Sequence, residues 1–168
     1  MSSGSGRQLG EPSPTGERDQ IAVFGIDGIV EGWIPKPEGR ISDSLNQADR
    51  MRLRRADRDG MPGGWLELDL DKVIAVAAAP RPPSVGRVSR RHHAVEIAAG
   101  QYRVRGIAHI PPGADPERYV ASSSRRWLPL TGCTVMAGDD EWAVAVVIVN
   151  LDHASRDWGS AQKGLPFG

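Results

Sequence analysis

Hydrophobic positions begin to alternate at Ile21. Ile21 and Val23 share one face, Asp27-Gly28 supplies a turn, and Val30, Gly32 and Ile34 share a face of the following segment, so the spacing predicts a β-hairpin. The same pattern returns later in the chain. Val95 and Ile97 alternate, Ala99-Gly100-Gln101 turns, and Tyr102, Val104, Gly106, Ala108 and Ile110 line one face. Each hairpin runs into a Pro/Gly breaker and then into the start of a short helix. In the first copy Ser44 and Gln47 have capping-box spacing, with Ile41 and Leu45 as apolar contacts. In the second, Asp115 suits the cap, Pro116 the first helical position and Glu117 the N-terminal dipole. Residues 127–135 and 142–150 are strand-like around a turn at Asp139-Asp140, and MRLRR followed by WLELDLDKVIAVAAA is the first-copy counterpart.

A single offset of 74, which carries Gly32 onto Gly106, also pairs Val30 with Val104, Pro37 with Pro111, Gly39 with Gly113 and Arg52 with Arg126. Shared register of hairpin, breaker and helix start implies a duplicated unit. Gly32 and Gly106 lie inside strands, where glycine weakens the ladder unless the chain bends sharply or another backbone comes close, and a strongly curved strand in a small barrel is the preferred reason. Both therefore read as structural positions, as do Pro37, Gly39, Pro111 and Gly113. Leu45 and Tyr119 fall at equivalent helical positions and are expected to plug each core. The last strand of the first copy has two registers open, because LDLDK also matches VNLDH, with Asp71 beside Asp152 and Lys72 beside His153.

The expected division is a tail over 1–20, a first β-barrel repeat over 21–79, a Pro/Arg-rich linker over 80–94, a second repeat over 95–154 and a C-terminal tail over 155–168. The chain has 168 residues, 39% of them hydrophobic, and its 21 basic residues balance 21 acidic ones. No global field draws it to nucleic acid or membrane, so electrostatics act locally. Cys133 is the single cysteine, which excludes an internal disulfide framework and a thiolate pair for zinc. No apolar run approaches a membrane span, and a cytoplasmic protein is expected.

The series Gly32, Ile34, Pro37, Gly39, Arg40, Ser42, Asp43, Leu45, Asn46 resembles the G-x-[IL]-x-x-P-x-G-R-x-S-D-x-L-N core of an uncharacterised family of small bacterial domains. That pattern continues with an apolar P-L-T segment and a closing V-N strand, matched by Leu128-Pro129-Leu130-Thr131 and Val149-Asn150. The first copy keeps GRISDSLN without P-L-T, and the second keeps P-L-T and V-N but has ADPE in place of RISD. The resemblance implies a mainly β fold of two tandem small Sm-like or SH3-like barrels, each with a short helix after its second strand. It brings no activity.

Chemistry-bearing residues are few. Ser42, Asp43 and Asn46 are better explained by capping than by nucleophilic catalysis, which needs a base. Asp57, Asp59 and Gly60 have calcium-loop spacing, but the first and twelfth ligand positions would be Arg55 and Leu66. His92, His93, His109 and His153 lack ligand-spaced pairs. No catalytic residue, metal site or cofactor is expected. Arg50, Arg52 and Arg54 alternate with Met51 and Leu53, so one strand would present three guanidinium groups. With Arg90 and Arg91, and with Arg87, Arg125 and Arg126 nearby in sequence to the breaks, they form a candidate polyanion site. Against it stand Asp49, Asp57 and Asp59 and a shortage of aromatic rings for base stacking. The reading is a non-enzymatic binding or assembly module acting on a protein partner or on itself, with Sm-like binding of RNA or single-stranded DNA as the alternative.

Overall fold

The structure, a computed structural model, describes residues 8–9, 18–80, 90–115, 118–119 and 126–155. The chain divides into two compact units, residues 1–79 and 80–168. Both are built mainly from antiparallel β-strands, with one short α-helix among the described residues.

The first unit contains β1 (Gln8–Leu9), β2 (Arg18–Gly25), β3 (Gly28–Pro35), α1 (Ile41–Asn46), β4 (Arg50–Ala56), β5 (Pro62–Asp69), a 3-10 turn at Leu70–Lys72 and β6 (Val73–Ala78). Its antiparallel strands run in the order β5-β4-β3-β2-β6. Ile21, Val23, Ile34, Leu45, Met51, Leu53, Leu70, Ile74 and Val76 form the core, each at most 2% exposed. Two elements begin earlier than the hydrophobic pattern marks. β2 starts at Arg18, inside the expected tail, because its ladder with β3 continues to the pair Arg18 and Pro35. Gln8 and Leu9 pair in parallel with Arg50 and Met51, also within that tail.

The helix corrects another expectation. Ser44 and Gln47 form no capping box: α1 starts at Ile41, its N-cap is Arg40 and no side chain caps it. Burial of Ile41 and Leu45 sets the start instead, since these two must face the core from one side of a six-residue helix. Ser42 is buried within the helix, and Asn46 Nδ2 donates to its carbonyl at 2.8 Å. Asp43 lies in the first turn, where the helix dipole favours a carboxylate.

The second unit is a four-stranded meander of β7 (Arg91–Ala99), β8 (Tyr102–Ile110), β9 (Trp127–Ala137) and β10 (Asp140–Asn150), followed by a 3-10 turn at Leu151–His153. Tyr102, Val104, Gly106, Ala108 and Ile110 are all buried, as their alternation predicts. β7 begins at Arg91, so Arg91–Ala94 are strand rather than linker. Pro112 and Gly113 occupy the centre of a turn closed by Ala114 N–H to the Pro111 carbonyl at 3.2 Å, with Gly113 at φ 81° as the turn demands. Gly39 has no such duty: its φ is not left-handed and nothing lies within 4 Å of the position its Cβ would take. Asp115 does cap, accepting from Arg118 N–H at 3.2 Å, while Pro116, Glu117, Arg87, Arg125 and residues 156–168 lie outside the described residues.

The described pairings form an open path in each unit and do not close a barrel. They do share internal detail. In the first unit Gly25 pairs with Val73, Ile26 N–H donates to the Lys72 carbonyl and Leu70 N–H to the Asp49 carbonyl. In the second, Ala99 bridges Ala154, Gly100 N–H donates to the His153 carbonyl and Leu151 N–H to the Arg126 carbonyl. Asp69 and Asn150 each precede a 3-10 turn and each accept from the backbone two residues on, Asp71 and Asp152. LDLDK and VNLDH thus occupy comparable places in the two units, and Asp49 and Arg126 each give a carbonyl to the first residue of a 3-10 turn, Leu70 and Leu151.

Candidate functional site

β4 decides what faces solvent in the first unit. Its even positions point away from a core that takes Met51 and Leu53 to zero exposure, so Arg50, Arg52 and Arg54 stand on the outer face. On β3 the neighbours Gly32 and Ile34 are buried, which turns Trp33 outward. On β5 the same alternation sets Trp65, Glu67 and Asp69 beside the arginines.

Register then joins these residues into a line. Gln20 pairs with Trp33, Trp33 with Arg54, and Arg54 with Trp65, so one row crosses β2, β3, β4 and β5. Directly paired residues on one face are nearest neighbours. The Arg54 guanidinium carbon lies 5.0 Å from the centroid of Trp65, and that of Arg52 lies 4.6 Å from the same ring. Each contact contributes about 0.5–1 kcal/mol at an exposed position. Trp65 remains 43% exposed, although one ring holds two guanidinium groups. Arg50 differs from its two companions, donating to Glu67 Oε1 at 2.7 Å in an exposed ion pair that adds little stability. Arg52 and Arg54 form no ion pair among the described residues.

Two donors in the row lack acceptors. Trp33 Nε1 and Arg54 Nε are buried and have no hydrogen-bond partner among the described residues. An unsatisfied buried donor costs about 1–3 kcal/mol, more when charged. Trp33 and Trp65 escaped the reading by sequence because each falls in an ordinary alternating strand. The signal lay in the face that each shares with the arginines, which becomes visible once β3, β4 and β5 are placed in register.

Other candidates resolve differently. Arg90 and Arg91 are exposed at the start of β7 in the second unit, with Arg91 paired to Ile110. Arg126 is committed to Asp152 at 2.9 Å and Asn150 at 3.4 Å, which ties β9 to the 3-10 turn. Asp57 organises its own hairpin loop, accepting from Asp59 and Met61 N–H at 2.9 and 2.8 Å through one carboxylate oxygen. His92 and His109 meet edge to face at 4.6 Å between centroids, and His109 Nε2 shares a hydrogen bond of 2.7 Å with Thr131 Oγ1. No cluster of three metal-ligating side chains occurs among the described residues. Burial pushes the Cys133 thiol up to about 11, against a smaller opposing effect of the Val147 backbone. At neutral pH it stays protonated and weakly nucleophilic. No helix among the described residues is long and apolar enough to cross a membrane.

No protein-family model, curated protein or solved structure matches this chain. The Trp33–Arg54–Trp65 row and its flanking Arg52 thus carry the functional argument by their own chemistry.

Proposed function

We propose that the chain is a non-enzymatic binding module, made of two divergent copies of one SH3-like or Sm-like unit, that acts in the cytoplasm on a protein partner. The observation that carries this reading is the outward row of Trp33, Arg54 and Trp65. Tryptophan and arginine are the residues that most often dominate protein interfaces. Here they sit together on a rigid sheet face, and Trp65 is open to solvent. Duplication is supported by the paired hydrogen bonds around the two 3-10 turns. Both copies also place the strand glycine against equivalent carbonyls, Gly32 facing Arg54 O and Gly106 facing Thr131 O. A binding role is favoured over catalysis by the burial of Ser42 and by the protonated state of Cys133.

The test compares affinity capture by the wild-type chain with capture by Arg52→Gln/Trp65→Ala, two outward positions whose replacement leaves the core intact. A protein retained by the wild type and lost with the variant is the expected outcome. Equal recovery by both chains removes the row from the reading.

Binding of single-stranded nucleic acid is a second reading, favoured by Arg52 and Arg54 lacking ion pairs among the described residues beside an exposed ring. Such a contact gains affinity from phosphate neutralisation and stacking, so replacing Arg50, Arg52 and Arg54 by glutamine will lower both affinity and salt slope. Fluorescence anisotropy with labelled RNA and DNA over a salt series measures this. Absence of binding at about 50 mM salt eliminates the alternative.

A further inference from the structure

Four features of the outer face bear on what the row can hold. Trp33 Nε1–H and Arg54 Nε–H are buried donors on directly paired residues, and neither has an acceptor among the described residues. The cost is larger for Arg54, whose unmet N–H belongs to a charged guanidinium. Arg52 adds a second guanidinium at the same ring, while Arg50 is occupied by Glu67. Trp65, 43% exposed, stacks against the Arg54 guanidinium at 5.0 Å.

Resting on the proposed binding role, we infer that the row takes an acidic side chain of an extended peptide, with one carboxylate accepting from Trp33 Nε1–H and Arg54 Nε–H. Rotation of Trp65 away from Arg54 opens the place. A planar carboxylate has two oxygens and suits two N–H donors from adjacent strands, and hydrogen bonds to ionised partners are the strong ones. Arg52 supplies the flanking positive charge. The choice of carboxylate over a nucleic-acid backbone follows from the neighbours on β5. Glu67 and Asp69 share the face with Trp65, so successive phosphates of a polynucleotide leaving the row along that strand meet like charge. A single carboxylate at Trp33 and Arg54 needs no second anionic contact along β5, where Glu67 is paired in register with Arg52.

The probe is a labelled eight-residue peptide of alanine and serine with one central glutamate, with glutamine replacing that glutamate in the control, titrated against the full chain. The acidic peptide is expected to bind at about 0.1 mM and the glutamine peptide at least tenfold more weakly. Trp33→Phe keeps the ring and deletes the donor, and it should weaken binding about tenfold. Arg54→Lys keeps the charge and deletes the Nε–H, and should do the same, which provides a second reading if one variant is unstable. Arg50→Gln removes one charge outside the row and should alter affinity less than about twofold.

Loss in Arg50→Gln with none in Arg54→Lys shows attraction by charge alone and overturns the inference. So does unchanged affinity in Trp33→Phe, or no peptide binding at about 1 mM. Tighter binding of oligouridylate than of the acidic peptide, lost with the same variants, assigns the row to nucleic acid and also overturns it. A partner captured through Arg52 and Trp65 without effect of Trp33→Phe sinks the carboxylate contact while leaving the binding role standing.

Discussion

Gly32→Val will destabilise the first unit by at least about 3 kcal/mol. A Cβ at this position meets the Arg54 carbonyl oxygen and Leu53 Cδ1 at separations that real Cβ atoms do not tolerate. Backbone cannot rotate aside as a side chain can. Even Gly32→Ala should be costly, because the clash begins at Cβ. Gly106 provides a graded comparison: there the added Cβ lies 2.8 Å from Cys133 Sγ, 3.2 Å from Leu130 Cβ and 3.3 Å from the Thr131 carbonyl oxygen. Gly106→Val should cost about 2 kcal/mol and Gly106→Ala less, since the Cys133 side chain can move. Urea unfolding of the four variants measures the order. Equal, near-zero changes at Gly32 would mean that β4 does not approach β3 this closely.

Leu45→Ala is the second large effect, with an expected cost of about 3 kcal/mol. Leu45 has no exposure and comes from a six-residue helix too short to be stable without its buried face. Its loss creates a cavity and releases α1 together. Tyr119 is only half-buried, so Tyr119→Ala should cost less than half as much. Hydrogen exchange at the α1 amides reports the first change, and unaltered protection would show that Leu45 does not hold the helix.

Much of the architecture was legible because alternation has a physical cause. A residue that faces the core on β8 must be two positions from the next, so Tyr102 through Ile110 could be assigned to one face without coordinates. Both strand glycines were legible as residues that fit a ladder poorly, but their reason is close approach of the Arg54 and Thr131 carbonyls rather than the expected barrel curvature. The limits of α1 were not, since capping chemistry at Ser44 competed with burial of Ile41 and Leu45, and burial prevailed. Nor does one fixed offset relate the matching features of the two units. The offset is 74 at Gly32 and Gly106, 77 at Asp49 and Arg126, and 81 at Leu70 and Leu151, so added residues fall in the helical connection and in the following hairpin.

The site was half legible. Arg50, Arg52 and Arg54 share a face through strand period alone, but Trp33 and Trp65 come from two other strands, and nothing in their local sequence states the register. The shortage of aromatic rings was a statement about composition. What matters at the face is placement, and register brings two of the five tryptophans to the arginines.

The central claim, that a ligand lands on this row, is tested most directly by the indole N–H signals of the isotopically labelled protein during titration with the single-glutamate peptide. The account predicts that the Trp33 Nε1–H signal moves downfield as it gains an acceptor and that the Trp65 signal moves with it. The Trp127 signal should stay in place. Saturation that shifts Trp127 while leaving Trp33 and Trp65 unchanged, or a titration that shifts none of them, would contradict it.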